Sequence, residues 1–376
     1  MSDEIIHHGL DGVVVDTTSV SKVMPEINSL VYRGYPVQEL AEHCSFEEVA
    51  WLVWHGELPN AKELADFMAA GRAQRTISRE LVEVIQKSPR TAHPMDVLRT
   101  AVSFLGSEDV ELDKTHAATN LKRSVSMMAK IPTMIAAFYR HRKGQEFIPA
   151  RADLGFVENF FHMVFGKVPA PEVVKAFEVS LILYAEHGFN ASTFTARVVV
   201  SSLSDIYSGV VGGIASLKGP LHGGANEAVM HMLLEIGEPA RANEWMLAAL
   251  RDKRVVMGFG HRVYKNGDSR VPTMKKSARA MAAFTGETKW LDIEDILENI
   301  MVEQKNIHPN LDFPSGPAYY MMGFDIDMFT PFFVMARITG WTAHILEQNA
   351  NNRLIRPLSK YTGAGERRVV PLAQRG

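Results

Sequence analysis

The sequence predicts an all-α protein organised as two domains. Three observations carry that prediction. Helix-start signals recur ahead of amphipathic runs, a long apolar helical pattern lies near the C-terminus, and strand signals are few. At 376 residues the chain is too long for one ordinary core, so two domains, or one large helical body with a lobe, are expected.

Taken in order, Val13 to Val15 reads as a short strand near the N-terminus. Ser45 and Glu48 have capping-box spacing, and Val49, Leu52 and Val53 follow on one face. Gly56 and Pro59 end that segment. Asn60 and Glu63 repeat the device ahead of Leu64, Phe67 and Met68. Pro171 suits a first helical position, with Val174, Phe177, Leu181 and Tyr184 or Ala185 at helical spacing behind it. Thr193 to Ser202 is β-branched but is read as helix. Gly209, Gly212, Gly213 and Ser216 share one helical face, where a second helix can approach closely. Gly209 and Gly213 also match GxxxG, but Asp205 and Lys218 bracket too short an apolar run for a membrane dimer motif. The last long helix is expected from about Pro331 to about Asn352, and the tail after Thr362 reads as extended. No internal repeat or low-complexity linker divides the chain.

Composition excludes more than it names. Hydrophobic residues make up 46% and charged residues 22%, as in an ordinary globular protein. A net charge of −3 without a dominant basic stripe argues against nucleic-acid binding. No run of about 18 apolar residues predicts a membrane span. The N-terminal MSDEIIHHGLDG lacks the basic-then-apolar pattern of a signal peptide. Cys44 is the only cysteine, so an intrachain disulfide is impossible, and a reducing, cytoplasmic setting is expected. Cys44 itself reads as a small buried residue before a helix start rather than a reactive thiol.

Three short segments carry chemistry. In Gly219-Pro220-Leu221-His222-Gly223-Gly224-Ala225-Asn226-Glu227 a tight loop precedes an amphipathic helix. His222 then lies near a helix N-terminus, whose dipole disfavours imidazolium. A neutral histidine there can donate to a carbonyl oxygen gaining charge, although from spacing alone a histidine in a tight turn is the plainer reading. In Gly258-Phe259-Gly260-His261-Arg262-Val263-Tyr264, reaching Arg270, the glycines allow backbone to approach a ligand, and His261, Arg262 and Arg270 make a donor-rich loop suited to an anion. The third glycine of a dinucleotide fingerprint is missing, and a solvated basic loop is the plainer reading. In Asn310-Leu311-Asp312-Phe313-Pro314-Ser315-Gly316, apolar neighbours would raise the pKa of Asp312 and suit it as a base. The alternative is an aspartate capping the Pro-Ser-Gly turn.

Two arginines and a histidine complete the set. Arg337 lies in an apolar helix and shares a face with Trp341 and His344, so it needs an anionic partner or an exit to water. Arg356 follows in Leu354-Ile355-Arg356-Pro357. The planar fork of arginine grips carboxylates bidentately, which suits a dicarboxylate, while internal ion pairs remain the alternative. His187, in Glu186-His187-Gly188-Phe189-Asn190, reads by itself as a cation at a helix C-terminus. There is no HExxH, paired CxxC, Walker loop or GxSxG elbow, so metal hydrolysis, nucleotide hydrolysis and serine hydrolysis lack support. Together the residues suggest acid–base chemistry on a carbonyl compound with several carboxylates, and spacing goes no further.

In this order the segments resemble the citrate synthase family over nearly the whole chain, from Gly9-Leu10-Asp11-Gly12-Val13 to Tyr361-Thr362-Gly363. Tyr32-Arg33-Gly34-Tyr35, Glu186-His187 with Asn190-Ala191-Ser192, PLHGGANE, GFGHRVY, PNLDFPSG and the GWTAHILEQ-to-LIRP stretch carry the resemblance. It implies an all-α, citrate-synthase-like homodimer. Residues 1–223 and 324–376 would form a large domain, and 224–323 a small mobile one that closes over the substrates. Asp312 matches the base that removes the acyl-CoA α-proton. His222 matches the donor to the thioester oxygen, and His261 the donor to the oxaloacetate ketone. His187, Arg270 and Arg337 match oxaloacetate carboxylate ligands, and Arg356 the arginine lent by the partner subunit. No metal or redox cofactor is implied, because the coenzyme A thioester is a substrate.

The family's common Asp-Pro-Arg is Asp268-Ser269-Arg270 here, which leaves the arginine in place but puts the loop geometry in question. The long N-terminal extension of the NADH-regulated bacterial type is missing, so no such allosteric site is expected. VVVDTTSVSKVMPEINSLVYRGYPVQEL and EHGFNASTFTARV are similar to bacterial 2-methylcitrate synthases of propionate breakdown. Relatives of that kind also make citrate, and one methylene is worth only ~1–3 kcal/mol in a pocket. Activity with both propionyl-CoA and acetyl-CoA, with propionyl-CoA preferred, is therefore expected. Phe189 and Phe313 are candidates for shaping the acyl pocket. A dedicated citrate synthase of the tricarboxylic acid cycle, a citryl-CoA lyase and a non-catalytic helical scaffold are the alternatives.

Overall fold

The computed structural model describes residues 6–112, 116–261, 263–264 and 267–375. Arg262 and the first five residues of the N-terminal segment lie outside the described residues. A three-stranded antiparallel sheet, β1 (Ser21–Met24), β2 (Ser29–Tyr32) and β3 (Tyr35–Pro36), opens the chain. Val13 to Val15, expected as a strand, instead runs as irregular chain, with Val14 89% exposed. Without a paired neighbour a β-branched run has no ladder to join, whereas Ser21 to Met24 finds Ser29 to Tyr32.

Ten helices follow: α1 (Val37–His43), α2 (Phe46–His55), α3 (Ala61–Ala73), α4 (Arg79–Lys87), α5 (Pro94–Ser107), α6 (Ala117–Arg142), α7 (Phe156–Phe165), α8 (Pro171–Tyr184), α9 (Ala191–Ser201) and α10 (Ile206–Leu217). Five more, α11 (Ala225–Ile236), α12 (Pro239–Arg251), α13 (Val271–Thr285), α14 (Lys289–Lys305) and α15 (Asp312–Met321), pack largely on one another. The chain then enters α16 (Phe329–Ala350) and ends in a mostly irregular, exposed tail.

The local rules hold where their partners are close in sequence. Both capping boxes form, with Ser45 and Glu48 starting α2 and Asn60 and Glu63 starting α3. Pro171 opens α8, and the β-branched stretch is helix α9, capped by Asn190. Cys44 closes α1 and is half-buried, and burial pushes its thiol up.

The glycine face of α10 does what its pattern predicts. A Cβ at Gly209 would stand 2.7 Å from Val200 and 2.9 Å from Ile345, and one at Gly213 would stand 3.0 Å from Trp341. α10 therefore wedges against α9 and α16 at backbone distance. α16 is buried on all sides from Phe329 to Ile345, as expected of a core helix. It touches α2, α5, α6, α8, α9, α10 and α11. Phe160, Phe177, Tyr319, Phe324 and Phe332 join α7, α8 and α15 to α16 through ring contacts of 4.5–6.0 Å. Truncating any one of these phenylalanines to alanine would cost about 3–5 kcal/mol.

Candidate active site

Two loops that read as separate signals are laced together. Phe259 bridges Pro309, Gly260 N–H donates to His308 O at 2.8 Å, and Asn310 N–H donates to Gly258 O at 2.9 Å. The Asn310 side-chain amide also donates to Gly260 O at 3.0 Å. Gly258 sits at φ +82°, and a Cβ there would lie 2.8 Å from Phe313. Only glycine meets both demands, so the loop bearing His261 closes onto the segment bearing Asp312.

The result is a cavity of about 1260 Å³. His187, Phe189, His222, His261, Arg270, Asp312 and Arg337 all line it. Two predicted residues do not. Phe313 is fully buried behind the wall, 4.5 Å from the Phe259 ring, because position 313 points into the core of the α15 start. Arg356 is exposed on the tail, which docks on α9 where Ile355 N–H donates to Ser201 Oγ at 3.1 Å.

Asp312 is the first residue of α15, and Pro314, Ser315 and Gly316 continue the helix, so the turn-capping alternative fails. Burial pushes its carboxyl up to about 6 against a smaller lowering by a hydrogen bond from Tyr184. The Tyr184 phenol donates to Oδ1 at 2.6 Å. His222 sits in the loop before α11, and burial together with the positive charge of Arg337 lowers its pKa to about 3. It is thus neutral, chiefly through burial rather than through the helix dipole. Its Nε2 lies 2.7 Å from Ser192 Oγ and 3.3 Å from Ser192 N–H.

His187 overturns its local reading. α8 ends at Tyr184, and the ring beyond it is held well below its usual pKa by burial first, then by Arg270, His261 and Arg337. It is a neutral group beside two cations, not a helix-capping cation. The His261 ring stands 4.9 Å from it. His261 Nδ1 accepts from the N–H groups of Val263 and Tyr264 at 3.0 and 3.2 Å, which places the ring proton on Nε2.

Both arginines of the cavity are almost fully buried. Burial opposes the charge of Arg270, and the Asp268 carboxylate more than offsets it through bonds of 3.0 and 2.7 Å. Arg337 spends Nε on the carbonyl of Tyr184 at 2.8 Å. Burial lowers its pKa to about 10, still cationic at neutral pH. Among the described residues that line the cavity, two buried side-chain nitrogens have no hydrogen-bond partner: Arg337 Nη1 and His187 Nε2. Such groups cost free energy until a hydrogen-bonding partner meets them.

The face shared by Arg337, Trp341 and His344 is confirmed, and all three address residues 184–192. Trp341 Nε1 donates to Ser192 Oγ at 3.0 Å, and His344 Nε2 pairs with Glu186 Oε1 at 2.8 Å. The sequence reading missed Tyr184 and Phe333. Tyr184 was legible only as one more apolar-face position of α8. Phe333 lines the cavity, 4.2 Å from the Tyr184 ring, 6.1 Å from the His222 ring and 4.7 Å below the Arg337 guanidinium. One residue per helical turn before Arg337 was the available signal. The segment from Gly9 to Asp16, a short 3-10 turn that runs on into irregular chain, also lines the cavity.

Among the described residues no group of three or more histidine, cysteine or acidic side chains could hold a metal ion, and no helix is long and apolar enough to cross a membrane.

Known proteins are similar to this chain over nearly its whole length. Residues 9–358 match the family model "Citrate synthase, C-terminal domain". A citrate synthase of Mycolicibacterium smegmatis is 58% identical over 97% of each chain. A 2-methylcitrate synthase of Mycobacterium tuberculosis is 58% identical over 97% of this chain and 92% of its own. The structure of citrate synthase from Thermoplasma acidophilum, in a ternary complex with carboxymethyl coenzyme A and oxaloacetate, has a TM-score of 0.94 at 32% identity, covering 99% of this chain and 100% of that one. With a match over most of its length and relatives of that identity, this chain belongs to the citrate synthase family.

Proposed function

We propose that the protein condenses an acyl-CoA with oxaloacetate and water to give CoA and 2-methylcitrate or citrate. The observation that carries this reading is one cavity holding both a carboxyl group with a pKa near 6 and two unpartnered buried nitrogens, His187 Nε2 and the guanidinium Nη1 of Arg337, beside the Arg270 cation. A base poised near neutral pH suits proton abstraction beside a thioester carbonyl. An unpartnered guanidinium donor with a second buried arginine beside it suits a dicarboxylate.

In this mechanism Asp312 removes a proton from the α-carbon of the thioester. Neutral His222 donates to the thioester oxygen and stabilises the enol or enolate. His261, protonated on Nε2, polarises the ketone of oxaloacetate, whose carboxylates lie against His187, Arg270 and Arg337. The enolate carbon bonds to the ketone carbon, and water then hydrolyses the citryl-CoA-type thioester. The reading calls for no metal or redox cofactor and places the reaction in the cytoplasm.

Helices α11–α15, together with their flanking loops at residues 224–323, act as the small mobile domain of this scheme. Closing them over the substrates expels water and strengthens the hydrogen bonds that hold the enolate. The working unit is a homodimer in which Arg356 reaches the partner's cavity, and its exposed position in one chain agrees with that.

Propionyl-CoA is the preferred acyl donor and acetyl-CoA the second, supported by the relatives named 2-methylcitrate synthase from Mycobacterium tuberculosis and Corynebacterium glutamicum. The test is CoA thiol release with oxaloacetate, using both acyl-CoAs side by side and Asp312→Ala as control. A higher kcat/KM for propionyl-CoA that vanishes in the variant is expected. A strong acetyl-CoA preference would make the protein a citrate synthase with the same mechanism. No release with either would remove the proposal.

A further inference from the structure

The proposed base is not held by the backbone of its own helix alone. Tyr184, the last residue of α8, reaches Asp312 from another element. Its phenol oxygen lies 2.6 Å from Asp312 Oδ1 and 2.7 Å from Ser315 Oγ. Ser315 stands one helical turn beyond Asp312 on α15, so the phenol docks on both residues of one face. Asp312 Oδ2 has no hydrogen-bond partner among the described residues, and Asp312 lines the cavity.

Nothing in this arrangement lets the phenol wander. Tyr184 is 1% exposed, its ring lies 4.2 Å from Phe333, and its carbonyl accepts from Arg337 Nε at 2.8 Å. Burial, and then the charge of Asp312, hold its O–H well above the usual tyrosine pKa. The group is therefore a donor, never an acceptor, toward a carboxylate at working pH.

We propose that Tyr184 is the positioning residue of Asp312: its O–H occupies Oδ1, so that Oδ2 is the oxygen presented to the α-proton of the acyl-CoA, with Ser315 anchoring the phenol. The proposal deepens the condensation reading above and rests on Asp312 being the base. The same residue joins the two half-sites, because the side chain sets the base while the peptide carbonyl fixes Arg337, the proposed oxaloacetate ligand. A general base must present one lone pair along the breaking C–H bond, and a carboxylate free to rotate about its Cβ–Cγ bond spends its time in orientations that cannot react.

Tyr184→Phe keeps the ring and removes the donor. Losing a hydrogen bond that favours the carboxylate raises the pH at which Asp312 ionises. The acid limb of the pH profile of kcat/KM for acyl-CoA should move up by about one pH unit, given the usual strength of bonds to charged groups. At pH 8, where Asp312 is ionised in both proteins, kcat should still fall by roughly tenfold through lost orientation. KM for oxaloacetate should not follow. Ser315→Ala should move the limb and kcat in the same directions by less, and it carries the test if Tyr184→Phe does not fold. In an Asp312→Asn background Tyr184→Phe should cost no further activity.

An unmoved limb with unchanged kcat, or an equal loss in the Asp312→Asn background, would overturn the proposal and leave Tyr184 a packing residue. The titration of the Asp312 carboxyl carbon, followed by NMR in wild type and Tyr184→Phe, gives a readout independent of turnover. If the wild type releases no CoA, the condensation reading falls. A titration shift on loss of the phenol O–H would then still establish the Tyr184–Asp312 bond, and no shift would refute it.

Discussion

Asp268 and Arg270 form a two-point ion pair inside the protein, Nε to Oδ1 at 3.0 Å and Nη2 to Oδ2 at 2.7 Å, with the Asp268 side chain fully buried. The same Oδ2 accepts the N–H of Leu311 at 3.2 Å, next to Asp312. One carboxylate thus ties the proposed oxaloacetate arginine to the segment of the proposed base. Ser269, which stands between the two residues, leaves this pair intact. Asp268→Asn would strand a buried guanidinium, which typically costs 3–5 kcal/mol. Urea denaturation should show a loss of about that size, and KM for oxaloacetate should rise. Unchanged values of both would mean the pair is incidental.

The raised pKa of Asp312 predicts opposite effects on activity and stability. Activity should rise as pH climbs through about 6 and then level off. For stability, the folded carboxyl binds its proton more tightly than the unfolded one. Between the unfolded value near 3.9 and about 6 the folded state holds more protons, so stability falls as pH rises through that window. The shift of roughly two units corresponds to a cost of about 3 kcal/mol, present in full above it. Asp312→Asn should therefore melt higher than wild type at pH 8 and no higher at pH 4, while kcat falls by about 10²–10⁴. A variant less stable at pH 8 would contradict the burial argument.

Arg356 gives a test of shared active sites. If it serves the partner's cavity, Asp312→Ala and Arg356→Ala homodimers should each be impaired. Mixed dimers formed by subunit exchange should regain activity, because one of their two cavities pairs an intact base with an intact arginine. No recovery from fully exchanged samples would place Arg356 outside the partner's site.

The phenylalanines separate by position. Phe189 and Phe333 line the cavity, and Phe313 stands behind it. Phe189→Ala or Phe333→Ala should shift selectivity toward longer acyl-CoAs, by up to the ~1–3 kcal/mol that a methylene is worth. Phe313→Ala should instead destabilise the fold by about 3–5 kcal/mol. Parallel kcat/KM values for acetyl-, propionyl- and butyryl-CoA, with melting curves, would show whether the two effects separate in this way.

The sequence by itself determined the helices whose signals are local. Capping boxes at Ser45 and Asn60, proline at the start of α8 and the apolar period of α16 act within one or two turns, so no distant residue was needed to read them. The glycine face of α10 announced a close approach without naming Trp341 as the neighbour. The motifs also singled out His222, His261, Asp312 and Arg337, and the family resemblance assigned them expected roles.

Tertiary structure alone decided what these groups are chemically. His187 looked like a helix-capping cation and is held neutral, because burial and two arginines distant in sequence disfavour its charge. Asp312 acquired its environment from Tyr184, 128 residues earlier, and Arg270 from a paired carboxylate in a laced double loop. Phe313 was adjacent to the base in sequence yet behind the wall, whereas Phe333 was remote and in it. Ionisation and cavity lining depend on solvent exclusion and on charges within a few ångströms in space. A linear pattern reports which groups are available, and only the folded chain sets their neighbours.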